Sequence, residues 1–248
     1  MTDFFIDIET IPGQLPQVMA SILTDIAEKK AQISAPGNYK DEGKIQEYIH
    51  SKALELDNAA AQEYRNTGLD GARGQICCIS LAINDGKPQA FYREDWQNHE
   101  AERLILIDFY QAISHEFLRT KSFSIPRFIG HNIINFDLRF IFQRSVILGI
   151  KPTEGIPFEA RPWDSHVYDT CTKWAGVGNR VKLDKLCKVL GIAAKGSEIG
   201  EEIDGSQVWD YVQAGKIGKV AQYCNGDVHR TREVFRALTF TKTPVSPA

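Results

Sequence analysis

The sequence has 248 residues, of which 43% are hydrophobic and 25% charged. That is ordinary globular composition, enough chain for one large domain or two small ones. A formal net charge of −3 excludes a globally basic nucleic-acid binder, but not a nucleic-acid substrate, because acids at a metal site enter the same sum. The five cysteines (Cys77, Cys78, Cys171, Cys187 and Cys224) form no C-x-x-C pair. They read as small buried apolar residues in a reducing compartment. No basic segment leads into an apolar one at the start, and no apolar run is long enough to span a bilayer. The expectation is a cytoplasmic protein with no membrane partner.

Residues 3–9 are β-favouring and predict the first strand; Pro12-Gly13 is a turn signal. From about 14 to 70 the chain turns polar and helical, interrupted at Pro36-Gly37-Asn38. We read this as an inserted helical arm or cap, the expected place for a protein partner or a homodimer contact. Residues 74–83 (GQICCISLAI) predict a strand buried on both faces. Asn84-Asp85-Gly86 is a hairpin turn, and 89–92 the returning strand. Residues 101–117 predict a helix with the stripe Ala101, Leu104, Ile105, Phe109, Ala112 and Ile113. A short strand over 127–130 is followed by a helix over 135–148 with Asn135 as its cap. Residues 167–170 predict a last strand, 183–190 a helix closed by Gly191, 207–214 a short helix, and 216–238 the final helix. The tail, 241–248, is expected to be disordered. The order predicts an α/β fold with a mixed central sheet, its first three strands antiparallel, flanked by helices.

Three stretches carry chemistry. On the first strand Asp7 and Glu9 are two apart and share a face. Two like charges there repel, and a bound cation would relieve them. In the second (HNIINFD) a strand opens into a polar loop, and Asp137 falls in the first turn of a helix, where the dipole favours an acid. In the third, Tyr223 and Asp227 are four apart on the last helix and share a face, at the border between core and solvent. Asn225-Gly226 is a turn pair set inside that helix, a local rule broken beside a candidate site. Each stretch alone also fits solvated acids and ordinary core. The six histidines show no metal-ligand spacing.

Asp7-Ile8-Glu9, Asn132 through Asp137, and Tyr223 with Asp227 resemble the three motifs of the DEDD 3′–5′ exonucleases. The Tyr four residues before the last Asp is similar to the Tyr subclass; the His subclass would place His where Gln222 stands. The surroundings (FFIDIET, FIGHNIINFDLRF, LDKLCKVLGI, YCNGDVHRT) are similar to the proofreading domain of family B DNA polymerases, above all to stand-alone predicted exonucleases related to it. The resemblance covers most of the chain and is weakest over 14–70.

The resemblance implies a ribonuclease H-like fold in a single domain over 1–240, and two-metal hydrolysis of phosphodiesters. It implies two Mg²⁺ or Mn²⁺ ions held by Asp7, Glu9, Asp137 and Asp227, with Tyr223 orienting the attacking water. It implies substrate contacts from Asn132, Phe136 and Thr10, and a single-stranded 3′ end, DNA rather than RNA, as partner. Asp169 and Lys182 are weaker cleft candidates. Arg127, Arg139, Arg144, Lys182, Lys185 and Lys188 are weaker phosphate candidates. With no room for a polymerase module, the expectation is an exonuclease acting alone or in trans. The rival readings are a non-catalytic nucleic-acid-binding or scaffolding module of the same fold, and a ribonuclease H-like endonuclease.

Overall fold

The structure, a computed structural model, describes residues 1–120, 126–193 and 204–241. The disordered tail expected over 241–248 falls, apart from Thr241, outside them. The chain divides into two compact units, one of residues 1–10 and 76–248, the other of Ile11–Gln75.

The larger unit is built on a five-stranded sheet: β1 (Asp3–Ile11), β2 (Gln75–Ile83), β3 (Gln89–Tyr92), β4 (Arg127–Gly130) and β5 (Val167–Asp169), in the order β3-β2-β1-β4-β5. β2 and β3 pair antiparallel through the expected turn, with Asn84 at φ 49°. The start of β1 lies beside the end of β2, where the Asn84 N–H donates to the Asp3 carbonyl at 2.8 Å. The far end of β1 lies beside the start of β2, where the Cys77 thiol donates to the Glu9 carbonyl at 3.3 Å. The first three strands are therefore antiparallel, as their sequence predicts. β4 pairs parallel with β1 (Phe4↔Phe128), and β5 parallel with β4.

The alternation of β1 decides what covers each face. Phe4, Ile6 and Ile8 enter the main core with Ile105, Phe109 and Ile113 of the helix α3 (Ala101–Thr120) and with Phe140 and Ile141 of the helix α4 (Asp137–Leu148). Helix numbers follow chain order, α1 and α2 belonging to the smaller unit. Phe5, on the opposite face with Asp7 and Glu9, packs with Ile129, Val228 and Phe235. Val228 and Phe235 belong to the last helix, α8 (Ile217–Leu238). So the face that carries the two acids is the face α8 covers. Among the described residues, the helices α5 (Thr170–Ala175), α6 (Leu183–Val189) and α7 (Val208–Gln213) also belong to this unit.

Four local expectations are corrected. Leu104 is exposed, because α3 is covered on one side only. α4 begins at Asp137 and not at Asn135; the Asn132 carbonyl accepts from the N–H groups of Asn135 and Phe136, and this turn delays the helix. Thr170 opens α5 instead of ending the strand, because the Asp169 side chain caps that helix. Tyr223 and Asp227 are buried, not at a solvent border. The cause is that α8 is covered twice: by the sheet, and by Leu183, Leu186 and Cys187 of α6 packed on Val234.

In the smaller unit α1 (Pro16–Ala31) and α2 (Glu42–Asn66) form a helical pair. Their apolar contact is small: Ile22, Ile26 and Ala60 are buried, with Leu56 and Tyr64 packed against them. An ion pair between Lys30 and Asp57 (2.6 Å) and the Asp41 cap on the Lys44 N–H supplement it. Among the described residues no helix is long and apolar enough to cross a membrane. All five cysteines are buried and unbridged.

Candidate active site

In open α/β sheets ligands bind outside the carboxyl ends of the strands, where the strand order switches direction. Here that point lies between β1 and β4. β2 and β3 continue to one side of β1, β4 and β5 to the other. Asp7 and Glu9 stand near the carboxyl end of β1, and the 131–137 loop leaves the carboxyl end of β4.

That loop has a definite shape. Asn132 is left-handed at φ 64°, and Gly130 is required at the turn, because an added Cβ would lie 2.6 Å from the Ile133 Cβ. Asp169, buried at the end of β5, holds the loop. Its carboxylate accepts from the N–H groups of Asn132 (2.9 Å) and Ile134 (3.3 Å), and from those of Cys171 (3.0 Å) and Thr172 (3.2 Å) in α5. His131 is a strut. Its Nε2 lies 2.7 Å from the Val181 carbonyl, which can only accept, so Nε2 carries the proton. Its Nδ1 faces the Thr170 hydroxyl at 2.9 Å.

The loop delivers Asp137 to β1, where its Oδ1 accepts the Ile8 N–H at 3.1 Å. α8 brings the rest. Oxygens of Asp7 and Glu9 and the Cys224 sulfur lie within 4.8 Å of one another. The Cys224 thiol donates towards the Asp7 carboxylate and carbonyl, both at 3.4 Å. Asp227 receives Arg230 through Nε (3.0 Å) and a second guanidinium nitrogen (2.7 Å), a buried pair one helical turn long. Asp7 and Asp227 line a cavity of about 440 Å³ together with His131, Lys182, Asp184 and Asp204. Glu9, Asp137, Tyr223, Asn132, Phe136 and Thr10 are not among its lining residues; Phe136 packs on Phe140, with ring centroids 5.6 Å apart. A larger hollow, about 710 Å³, lies at the other end of β1, lined by Asp3, Arg127, Asp85 and Arg236. Its charges pair with one another, Arg127 with Asp3 and Arg236 with Asp85.

The electrostatics follow from crowding acids out of water. Burial pushes the Asp137 carboxyl up to about 7, aided by the charges of Asp169 and Asp227 and opposed by backbone N–H groups. Burial pushes the Tyr223 hydroxyl far up, and Glu9, Asp227, Asp7 and Asp184 push the same way. Tyr223 therefore keeps its proton at neutral pH and is a donor, not a base. Burial likewise keeps the Cys224 thiol protonated. Clustered carboxylates with one neutralising arginine are a donor set that suits hard divalent cations, which take oxygen ligands.

This crowding has a pH signature. An unfolded Asp titrates near 3.9, so between about 4 and 7 the folded chain holds the extra proton on Asp137. Stability of the metal-free protein then falls as pH rises through that window, and the destabilisation is complete above it. In EDTA the protein should melt lower at about pH 8 than at about pH 5, and Asp137→Asn should melt higher than the parent at the upper pH. A variant that melts no higher there refutes the crowding.

Sequence reasoning missed what three supports do. Arg230 was legible as a basic residue three after Asp227 on a helix. Of the two weaker cleft candidates Lys182 lines the cavity and Asp169 does not; Asp169 instead grips the 131–134 loop, a tertiary role. Cys224 read as plain core. Two phosphate candidates are corrected: Arg127 is held by Asp3 and lies over the Phe235 ring at 4.7 Å, and Arg144 is buried on Glu102.

The model of a family described as "predicted 3′–5′ exonuclease related to the exonuclease domain of PolB" matches residues 74–247. The matched stretch holds Asn132, Phe136, Asp137, Tyr223 and Asp227, while Asp7, Glu9 and Thr10 precede it. Among solved structures, the family B DNA polymerase from the hyperthermophilic archaeon Pyrobaculum calidifontis matches with a TM-score of 0.55 and 15% identity, over 96% of this chain and 24% of that one. This chain thus spans about a quarter of the polymerase, and at such identity the likeness speaks for the fold alone. No curated protein matches the sequence.

Proposed function

The chain belongs to that family, and from this premise we propose that it hydrolyses phosphodiester bonds from the 3′ end of single-stranded nucleic acid, releasing nucleoside 5′-monophosphates. One observation carries the reading: acids from three separate stretches, with a protonated Tyr223 among them, converge at the carboxyl end of β1. The strand order of the sheet fits a ribonuclease H-like fold, and Tyr223 fits the Tyr subclass. The family's relation to a DNA polymerase exonuclease domain supports DNA over RNA.

Asp7, Glu9, Asp137 and Asp227 would hold two Mg²⁺ or Mn²⁺ ions, which when bound supply a hydroxide near neutral pH and stabilise charge on the attacking and leaving oxygens. The protein's own groups do the remaining work. Tyr223 donates a hydrogen bond that orients the attacking water. Asp169 fixes the loop that presents Asn132 and Asp137. Arg230 holds Asp227 in one rotamer. Asn132, Phe136 and Thr10 contact the terminal nucleotide beside the cavity, whose size suits a nucleotide-sized ligand.

The test is a time course on a 5′-labelled single strand with Mn²⁺, Mg²⁺ or EDTA, run beside Tyr223→Phe. A metal-dependent ladder shortened stepwise is expected. The variant should be slower on the order of 10²-fold, the low end of what a positioned proton-carrying group contributes. Internal cuts would favour an endonuclease. Intact substrate in every lane would favour a non-catalytic binding module.

A further inference from the structure

Residues 173–188 read KWAGVGNRVKLDKLCK, five cations against one acid, in a chain whose formal net charge is −3. The fold sets this stretch beside the acidic cavity. The loop between α5 and α6 is pinned at Val181, whose carbonyl accepts a hydrogen bond from His131 Nε2 (2.7 Å) and whose N–H donates to the Cys171 sulfur (3.4 Å). Lys182 and Asp184 then line the cavity with Asp7 and Asp227. From there α6 leads away. Leu183, Leu186 and Cys187 are buried, so Lys185 and Lys188, three apart, stand on its outer face. On the other side of the pinned loop Trp174 is 45% exposed and Val177 67%. Among the described residues, no ion pair involves Arg180, Lys182, Lys185 or Lys188.

Exposed lysines are ordinarily just solvated. These have a reason to be elsewhere engaged. The cavity is acidic and the chain is net negative, so a polyanion approaching it is repelled. Charges act over about 8–10 Å at physiological salt, so the compensating cations must be local. Cations interleaved with an exposed aromatic ring are the surface that single strands take: phosphates on the cations, a base stacked on the ring.

We propose that residues 173–188 form the track that receives the single strand upstream of its 3′-terminal nucleotide, with Arg180, Lys185 and Lys188 on phosphates and Trp174 under a base. The proposal rests on the exonuclease reading and gives it a direction of entry. It is tested with two substrates in Mn²⁺. A strand of about 20 nucleotides reaches the track. The p-nitrophenyl ester of thymidine 5′-monophosphate fills the cavity only. The double variant Lys185→Glu/Lys188→Glu should raise KM for the strand by about tenfold or more and make its salt dependence shallower, by roughly 0.7 in log–log slope for each phosphate no longer neutralised. Trp174→Ala should raise that KM by at least about fivefold. Both should hydrolyse the ester at the parent rate, within about twofold. Unchanged KM and salt slope for the strand overturn the track. A parent inert on both substrates overturns the exonuclease reading instead. Fluorescence anisotropy of the labelled strand in EDTA then decides the track, and equal binding by parent and variants overturns it.

Discussion

Replacing Asp7 with alanine should lower metal-dependent release of nucleotides by at least about a thousandfold while leaving the fold intact. The magnitude comes from charge. Hydrolysis of a phosphodiester builds negative charge on the attacking and leaving oxygens, and divalent ions stabilise it by several kcal/mol. About 4 kcal/mol is a factor of about a thousand in rate. Asp7 is the acid best placed to matter. It shares a face of β1 with Glu9, contacts the Cys224 thiol, and lines the cavity with Asp227. The fold should survive, because a half-exposed acid in a repelling cluster does not hold the sheet together. Without metal the variant should melt at or above the parent's temperature, the usual trade between a strained site and stability. Mn²⁺ should raise the parent's melting temperature, since a ligand bound only to the folded chain stabilises it, and should raise the variant's far less. A variant that still yields the ladder places the site elsewhere. A variant that melts well below the parent would make its inactivity a folding effect, and Asp7→Asn would then be the deciding form.

Much of this site was legible in the sequence because its parts are local. Asp7 and Glu9 share a face by the period of a strand, and Tyr223 and Asp227 by the period of a helix. The antiparallel run of the first three strands also followed from short-range signals, the Asn84-Asp85-Gly86 turn above all. What was not legible depends on which faces become covered. Nothing in the sequence near Tyr223 says that α6 packs over α8, so a residue placed at the core's border is in fact buried, its hydroxyl among the acids, where it loses any use as a base. Arg144 has the same lesson. A basic residue on an amphipathic helix reads as a solvated or phosphate-binding group, but its partner, Glu102, lies on another helix. Asp169 is a cap by local pattern and a loop clamp by tertiary structure, and only the first role has a sequence signature.

Glu102→Ala should be the most destabilising of the changes considered, at about 4–6 kcal/mol. Glu102 on α3 and Arg144 on α4 are both buried and meet by two hydrogen bonds, 2.8 and 2.7 Å long. Glu102 Oε1 also accepts the Ile76 N–H at 2.8 Å, so one carboxylate ties α3 to α4 and to the start of β2. Removing it takes the countercharge from a buried guanidinium, which costs about 3–5 kcal/mol. It also leaves a buried N–H without its acceptor, at about 1–3 kcal/mol, and the two overlap because relaxation or an entering water serves both. For a chain of this size each kcal/mol is worth about 2–4 °C, so a fall of roughly 10–20 °C in melting temperature is expected. The pair itself is not the source of stability, because desolvating two charges offsets most of their attraction. Glu102→Leu combined with Arg144→Met should therefore recover most of the loss, leaving mainly the unsatisfied Ile76 N–H. Denaturant melts of the parent, the single and the double variant measure this directly. A single variant within about 1 kcal/mol of the parent, or a double variant no better than the single, would show that α3 and α4 are held by their apolar contact alone. That contact, built from Ile105, Phe109, Phe140 and Ile141, is what keeps Asp137 against β1, so below its lowered melting temperature the single variant should still cut.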